Sequence, residues 1–143
     1  MNTTTRRDFL KQAATFSACV YTMGAMSVLN SCATSKKIAT TETATTVSFE
    51  IKSFGDQNFI TVQTQKFEEP IFVSKQADGS YVASRMLCTH KGCTLKVAPD
   101  KLVCPCHHSE FTTTGAVTKG PATKPLQNIR VTADSQSIIL HFD

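Results

Sequence analysis

The 143-residue chain has no tryptophan, so its core must come from nine phenylalanines and aliphatic side chains within an apolar share of 41%. That supports one small compact domain plus a tail. A strong charge excess is also missing. The net charge is +4 and the pI near 8.8, with the basic residues dispersed, which argues against a nucleic-acid partner. Arg6, Arg7, Lys11 and Asp8 account for half of that charge, leaving the rest of the chain close to neutral. There is no internal repeat, and from residue 47 onward no apolar stripe of helical period, which excludes a helix bundle. Nor is there a convincing membrane span. The uncharged stretch from Gln12 to Leu29 is rich in Ala, Ser and Met, and is short and weakly hydrophobic for that role.

What the chain does have is cysteine: Cys19, Cys32, Cys88, Cys93, Cys104 and Cys106. The first two belong to the front end. TRRDFLK at residues 5–11 resembles a twin-arginine export signal, with Arg6 and Arg7 as the pair, and the uncharged run behind it reads as a signal-peptide core. LNSC at 29–32 resembles a bacterial lipobox, with Asn30 a departure at its middle position. Residues 1–31 are therefore expected to be a signal peptide or uncleaved anchor, and Cys32 a lipidation site. Cys19 then leaves with the signal. Residues 32–46, poor in bulky apolar side chains, are expected to be a flexible tether, and the domain to span 47–143.

From Val47 the pattern is of short strands cut by turn signals. VSFEIKSF and NFITVQT alternate apolar with polar. PIFVSK and SYVASR flank Asp78-Gly79 as a hairpin would. TLKV and KLV flank Pro99-Asp100, and NIRVTA and SIILHF close the chain. The expectation is an all-β domain of roughly nine short strands.

The chemistry concentrates in CTHKGC at 88–93 and CPCHHS at 104–109. Ten residues separate the boxes, and a tight hairpin there would bring them together as facing loops. Six ligand-type residues then converge: Cys88, His90, Cys93, Cys104, Cys106 and His107. A closed tetrahedral metal site needs four. In an exported protein the surplus is explained by a disulfide between loops, and spacing alone leaves open which cysteines form it.

The pair of boxes is similar to the cluster-binding boxes of Rieske iron–sulfur proteins, in particular those of quinol-oxidising cytochrome bc-type complexes. Gly120-Pro121-Ala122 resembles that family's proline loop. The resemblance implies stacked antiparallel sheets with two cluster-binding loops. It implies one 2Fe–2S cluster, with Cys88 and Cys104 on one iron and His90 and His107 on the other, and Cys93 and Cys106 as the disulfide. Ser109 matches a serine whose hydroxyl donates to a cluster sulfide. Phe111 stands where high-potential members carry Tyr, which predicts a lower reduction potential here; Pro121 belongs to the covering loop. His108 stands where most relatives have Gly, so the backbone there is expected to be tight or positively twisted. Its bland reading, a tolerated loop substitution pointing into water, is preferred to an imidazole that alters docking or proton release. His141 reads as an ordinary strand residue, and Lys91 and Lys119 as solvated, with a docking face as the alternative.

Mixed ligation implies one-electron transfer at raised potential. The expected role is the membrane-tethered, periplasmic-side subunit of a quinol-oxidising complex, with a cytochrome b- or c-type redox partner and a quinol. The alternative is a small subunit of another exported oxidoreductase, such as arsenite oxidase, or a stand-alone carrier. A ring-hydroxylating dioxygenase component lacks the disulfide pair and the export signal. A zinc module leaves the extra cysteine pair and Ser109 unexplained.

Overall fold

A computed structural model describes residues 38–143. The alternating segments form strands and pair wholly antiparallel. In chain order they are β1 (Thr41–Glu42), β2 (Thr46–Glu50), β3 (Phe59–Val62), β4 (Ile71–Lys75), β5 (Tyr81–Arg85), β6 (Lys96–Val97), β7 (Lys101–Val103), β8 (Glu110–Thr112), β9 (Val117–Lys119), β10 (Asn128–Ala133) and β11 (Ser137–His141). Seven form one sheet in the order β1-β2-β11-β10-β5-β4-β3, and the remaining four form a second in the order β6-β7-β8-β9. The all-β expectation holds.

Alternation decides which side chains go inward. Val47 and Phe49 of β2, Ile60 and Val62 of β3, and Ile138 and Leu140 of β11 fill one core, because every second residue of a strand faces the same side. Strand β4 is different: Ile71, Phe72, Val73 and Ser74 are all buried. Ile71 and Val73 enter the first core, while Phe72 enters a second core with Met86, Leu95, Leu102 and Phe111. A continuous apolar run is what a strand covered on both faces requires. Each such fully buried side chain contributes about 1.5–3 kcal/mol. Ser74 faces the same side as Phe72 and donates its hydroxyl to Thr113 O at 3.2 Å, tying the two sheets together.

The two ends of the seven-stranded sheet approach each other through side chains. The Glu42 carboxylate in β1 accepts the Gln65 N–H, beyond β3, at 3.2 and 3.3 Å. Lys66 Nζ donates to Ala44 O at 2.6 Å. These contacts satisfy a backbone N–H and a backbone carbonyl in the loops next to the sheet's two edge strands.

Two expectations are corrected. The sheet extends before Val47: within the stretch expected as tether, Thr41 pairs with Ser48 and Glu42 with Val47. Among the described residues of that stretch Ile38 alone packs on the core, and Thr41, Glu42 and Thr43 are held by ladder and side-chain hydrogen bonds. VSFEIKSF does not run straight to Phe54. Its strand stops at Glu50, and Ile51–Phe54 form a 3₁₀ turn. The turn tucks Phe54 inward, 6% exposed and 5.6 Å from the Tyr81 ring.

Candidate metal centre

Both cysteine–histidine boxes are loops of the smaller sheet's end, joined by the β6–β7 hairpin, and they share one backbone design. In the first loop Gly92 N–H donates to Cys88 O at 2.8 Å and Cys88 N–H to Cys93 O at 2.9 Å. In the second, His108 N–H donates to Cys104 O at 3.0 Å and Cys104 N–H to Ser109 O at 2.8 Å. Such a closed turn needs a left-handed residue four places after its first cysteine. Gly92 has φ +72° and His108 has φ +58°, the one non-glycine with positive φ among the described residues. The twist expected at His108 is present, and its side chain is exposed.

Cys93 and Cys106 are joined by a disulfide, with S–S 2.07 Å and Cα–Cα 6.5 Å, pinning one loop to the other. The Cys104 sulfur lies within 4.8 Å of both disulfide sulfurs. That cluster of three is no metal site, because two of its sulfurs are already bonded to each other. Cys88 and Cys104 are free thiols, buried at 2% and 1% exposure. Burial pushes the Cys104 thiol up. The backbone N–H groups of His107 and Cys106, with the neighbouring Cys88 thiol, outweigh it and hold Cys104 below the ordinary thiol range.

The His90 and His107 rings meet edge to face, 4.8 Å between centroids. His90 Nδ1 is the only buried side-chain nitrogen or oxygen among the described residues without a hydrogen-bond partner. A buried polar atom left unpaired costs about 1–3 kcal/mol, so this nitrogen is suited to a ligand. Two thiols and two imidazoles, one with its nitrogen orphaned, fit a mixed sulfur–nitrogen metal centre.

A third loop covers the boxes from the side. Ala122 N–H donates to Ser109 Oγ at 3.0 Å; Ser109 is fully buried. Since the Ser109 oxygen is the acceptor there, its own hydroxyl hydrogen stays uncommitted. Thr89 Oγ1 donates to Lys124 O at 2.7 Å, tying the first box to the same loop. Pro121, after a cis Gly120–Pro121 bond, is exposed on it. Phe111 on β8 is fully buried in the core that also holds Cys88 and Cys104.

Other residues singled out from sequence lie elsewhere. His141 sits in β11 with Nε2 2.8 Å from Thr132 Oγ1, an ordinary strand pair. Cys32, Arg6 and Arg7 lie outside the described residues. The sequence reading passed over Thr89 and the shared turn of the two loops. A signal for the latter was present: the glycine and the histidine each stand four places after a buried cysteine.

Residues 46–130 match the family model described as the Rieske (2Fe-2S) domain. The iron–sulfur subunit of the cytochrome b6-f complex from Nostoc punctiforme is 34% identical over 103 residues, covering 69% of this chain and 56% of that one. The chloroplastic subunit of Bigelowiella natans is 38% identical over 77 residues, covering 50% of this chain and 31% of its own length. The chain thus spans between about a third and just over half of these relatives. Among solved structures, the cyanobacterial plasma membrane Rieske protein PetC3 from Synechocystis superposes with TM-score 0.55 at 30% identity, over 64% of this chain and 93% of that one. Naphthalene 1,2-dioxygenase, at 24% identity and TM-score 0.51, shares the fold. The chain belongs to the Rieske 2Fe–2S family, and its cofactor is one Rieske-type 2Fe–2S cluster.

Proposed function

We propose that this Rieske chain passes single electrons on the outer side of a membrane, as the tethered iron–sulfur subunit of a quinol-oxidising, cytochrome bc-type complex. The observation that carries the electron-transfer reading is the donor set: two buried free thiols and two imidazoles, with His90 Nδ1 orphaned in the interior. Cys88 and Cys104 would hold one iron and His90 and His107 the other. A 2Fe–2S cluster held by two thiolates and two neutral imidazoles accepts an electron several hundred millivolts more readily than one held by four thiolates.

Each residue's part follows from its place. With Nδ1 turned inward, His90 would offer that nitrogen to the cluster, and the exposed His107 ring would keep an edge in water. The Cys93–Cys106 disulfide keeps the two loops in register. Buried Ser109, its oxygen taken by the Ala122 N–H, would have its hydroxyl hydrogen free to donate to the cluster and so lower the cost of added negative charge. The cytochrome b6-f relatives support the assignment to a quinol-oxidising complex with a cytochrome partner. The twin-arginine motif at Arg6-Arg7 and the lipobox ending at Cys32 support export and tethering.

Two measurements test the proposal. Dithionite-reduced protein should show the EPR signal of a histidine-ligated 2Fe–2S centre; a colourless, EPR-silent, zinc-containing protein would overturn the electron-transfer reading. Membranes from cells lacking the chain should lose quinol-dependent cytochrome reduction. Retention of that activity would remove the complex and leave a carrier for another exported oxidoreductase.

A further inference from the structure

The described domain is electrically divided. The segment from Met86 to Leu126, which holds both boxes, the small sheet and the covering loop, carries five lysines and only two acids, Asp100 and Glu110. The remaining described residues carry five basic side chains against eight acidic ones. A nearly neutral domain is therefore net positive in the segment that holds both boxes and net negative over the rest of the described residues.

The two acids do not cancel this at the tip. Asp100 lies in the β6–β7 turn, and since β6 leaves the first box and β7 enters the second, that turn is at the far end of the hairpin. Glu110 is engaged by Lys101 Nζ at 2.8 Å and more distantly by Lys119 Nζ at 3.6 Å. The Lys101 ammonium beside it holds the Glu110 carboxyl below its ordinary range. Lys91, inside the first box, and Lys124, whose carbonyl is anchored by Thr89, are exposed and have no ion-pair partner among the described residues. Lys119 and Lys124 bracket the loop whose Ala122 is held by Ser109. Lys91, next to His90 in the chain, and Lys124, held by Thr89 on the other side of His90, thus stand on loops that border the His90–His107 pair, with Lys119 at the end of β9 where the covering loop begins.

We infer that this lysine rim is the docking surface for an acidic redox protein, steering the partner's negative face onto the histidine edge. The inference rests on the electron-transfer reading and adds the chemistry of the partner. Charges arranged about a small contact area raise association rates by about 10–10³-fold, and the effect falls steeply with salt. An acidic protein fits better than an anionic membrane, because the rim surrounds the electron's exit and lipid there would cover it.

The test uses the full chain and two oxidants of opposite charge, anionic ferricyanide and cationic tris(phenanthroline)cobalt(III), in stopped flow against the reduced protein. Oxidation by ferricyanide should slow as salt is raised and slow about tenfold in Lys91→Glu/Lys124→Glu at low salt. The cationic oxidant should respond in the opposite sense. Poly-L-glutamate should bind the wild type in calorimetry and lose its heat in the double variant, a readout independent of redox chemistry. An unchanged ferricyanide rate in the double variant, or rates indifferent to salt, would overturn the inference. So would wild-type pelleting with phosphatidylglycerol vesicles that the double variant loses while its ferricyanide rate stays unchanged, which would assign the rim to lipid. A missing cluster spectrum would instead defeat the electron-transfer reading itself, while the polyglutamate result would still report on the rim.

Discussion

Gly92 and His108 hold the same position in two loops of one design, each donating its N–H to the carbonyl of the cysteine four residues before it, at φ +72° and +58°. Glycine takes this conformation without steric cost, whereas an L side chain costs about 1–2 kcal/mol. Glycine also loses more chain entropy on folding, about 0.5–1 kcal/mol. The steric term is the larger. His108→Gly should therefore stabilise the domain by about 0.5–1 kcal/mol and raise the melting temperature by a few degrees. Thermal unfolding followed by circular dichroism checks this; an unchanged or lower midpoint would contradict the steric account.

Much of the fold was legible because period-2 alternation survives in β2, β3, β10 and β11. Strands β8 and β9 were not. Each has three residues, too few to show a period, and β8 lies directly behind the second box. Strand β1 was hidden for another reason. Thr41-Glu42 buries almost nothing, and its order comes from a ladder with β2 and from Glu42 reaching Gln65, a partner 23 residues away. The cysteines and histidines that the two loops bring together were legible, since metal and disulfide chemistry restricts residue identity. Pairing among cysteines was not legible from spacing and came from the family resemblance. Nothing in the pattern reveals that the Ser109 oxygen is occupied by Ala122.

The disulfide closes a loop between residues 13 apart. Chain-entropy reasoning gives such a crosslink about 3 kcal/mol. It also fixes the loop carrying Cys104 and His107 against the one carrying Cys88 and His90. Cys93→Ala/Cys106→Ala should lower the melting temperature by roughly 10–20 °C and hasten loss of the cluster's visible absorbance. Unchanged cluster retention would show that the loops hold together without the bond.

At the β10–β11 turn the Asp134 carboxylate accepts the Gln136 and Ser137 N–H groups, both at 2.7 Å. The Gln136 N–H, then that of Ser137, hold the Asp134 carboxyl below its ordinary range. A group with a lowered folded-state pKa stabilises above its unfolded pKa, and that contribution is lost as pH falls through the folded one. Asp134→Ala should melt lower than wild type at neutral pH, and the gap should narrow at about pH 2. A gap independent of pH would mean that the charge contributes nothing.

On the export reading proposed above, a folded, cluster-loaded domain calls for the twin-arginine route, so a twin-arginine address at Arg6-Arg7 and the two boxes would support each other. Arg6→Lys/Arg7→Lys should leave the protein inside the cell, with its cluster signal in the cytoplasmic fraction. Efficient export of this variant, read by fractionation and immunoblotting, would count against the address.

Ser109 and Phe111 lie on either side of Glu110, both fully buried, and they are expected to set the potential in opposite ways. Ser109 has its oxygen taken by the Ala122 N–H and its hydrogen free. Ser109→Ala therefore removes a donor that favours the reduced state and also strands the buried Ala122 N–H, at about 1–3 kcal/mol. Both the potential and the stability should fall. Phe111 offers no donor. Phe111→Tyr places a hydroxyl in the core that holds Cys88 and Cys104, where a hydrogen bond to a ligand sulfur would favour reduction. A differential of about 1 kcal/mol corresponds to about 40 mV for one electron. Protein-film voltammetry should thus find Ser109→Ala below the wild type and Phe111→Tyr above it. The stability readout separates the two causes. Phe111→Tyr with an unpaired hydroxyl would lose stability and leave the potential unmoved, whereas a bonded one raises the potential with stability largely kept. An unchanged or lower potential in Phe111→Tyr would remove this position as a determinant.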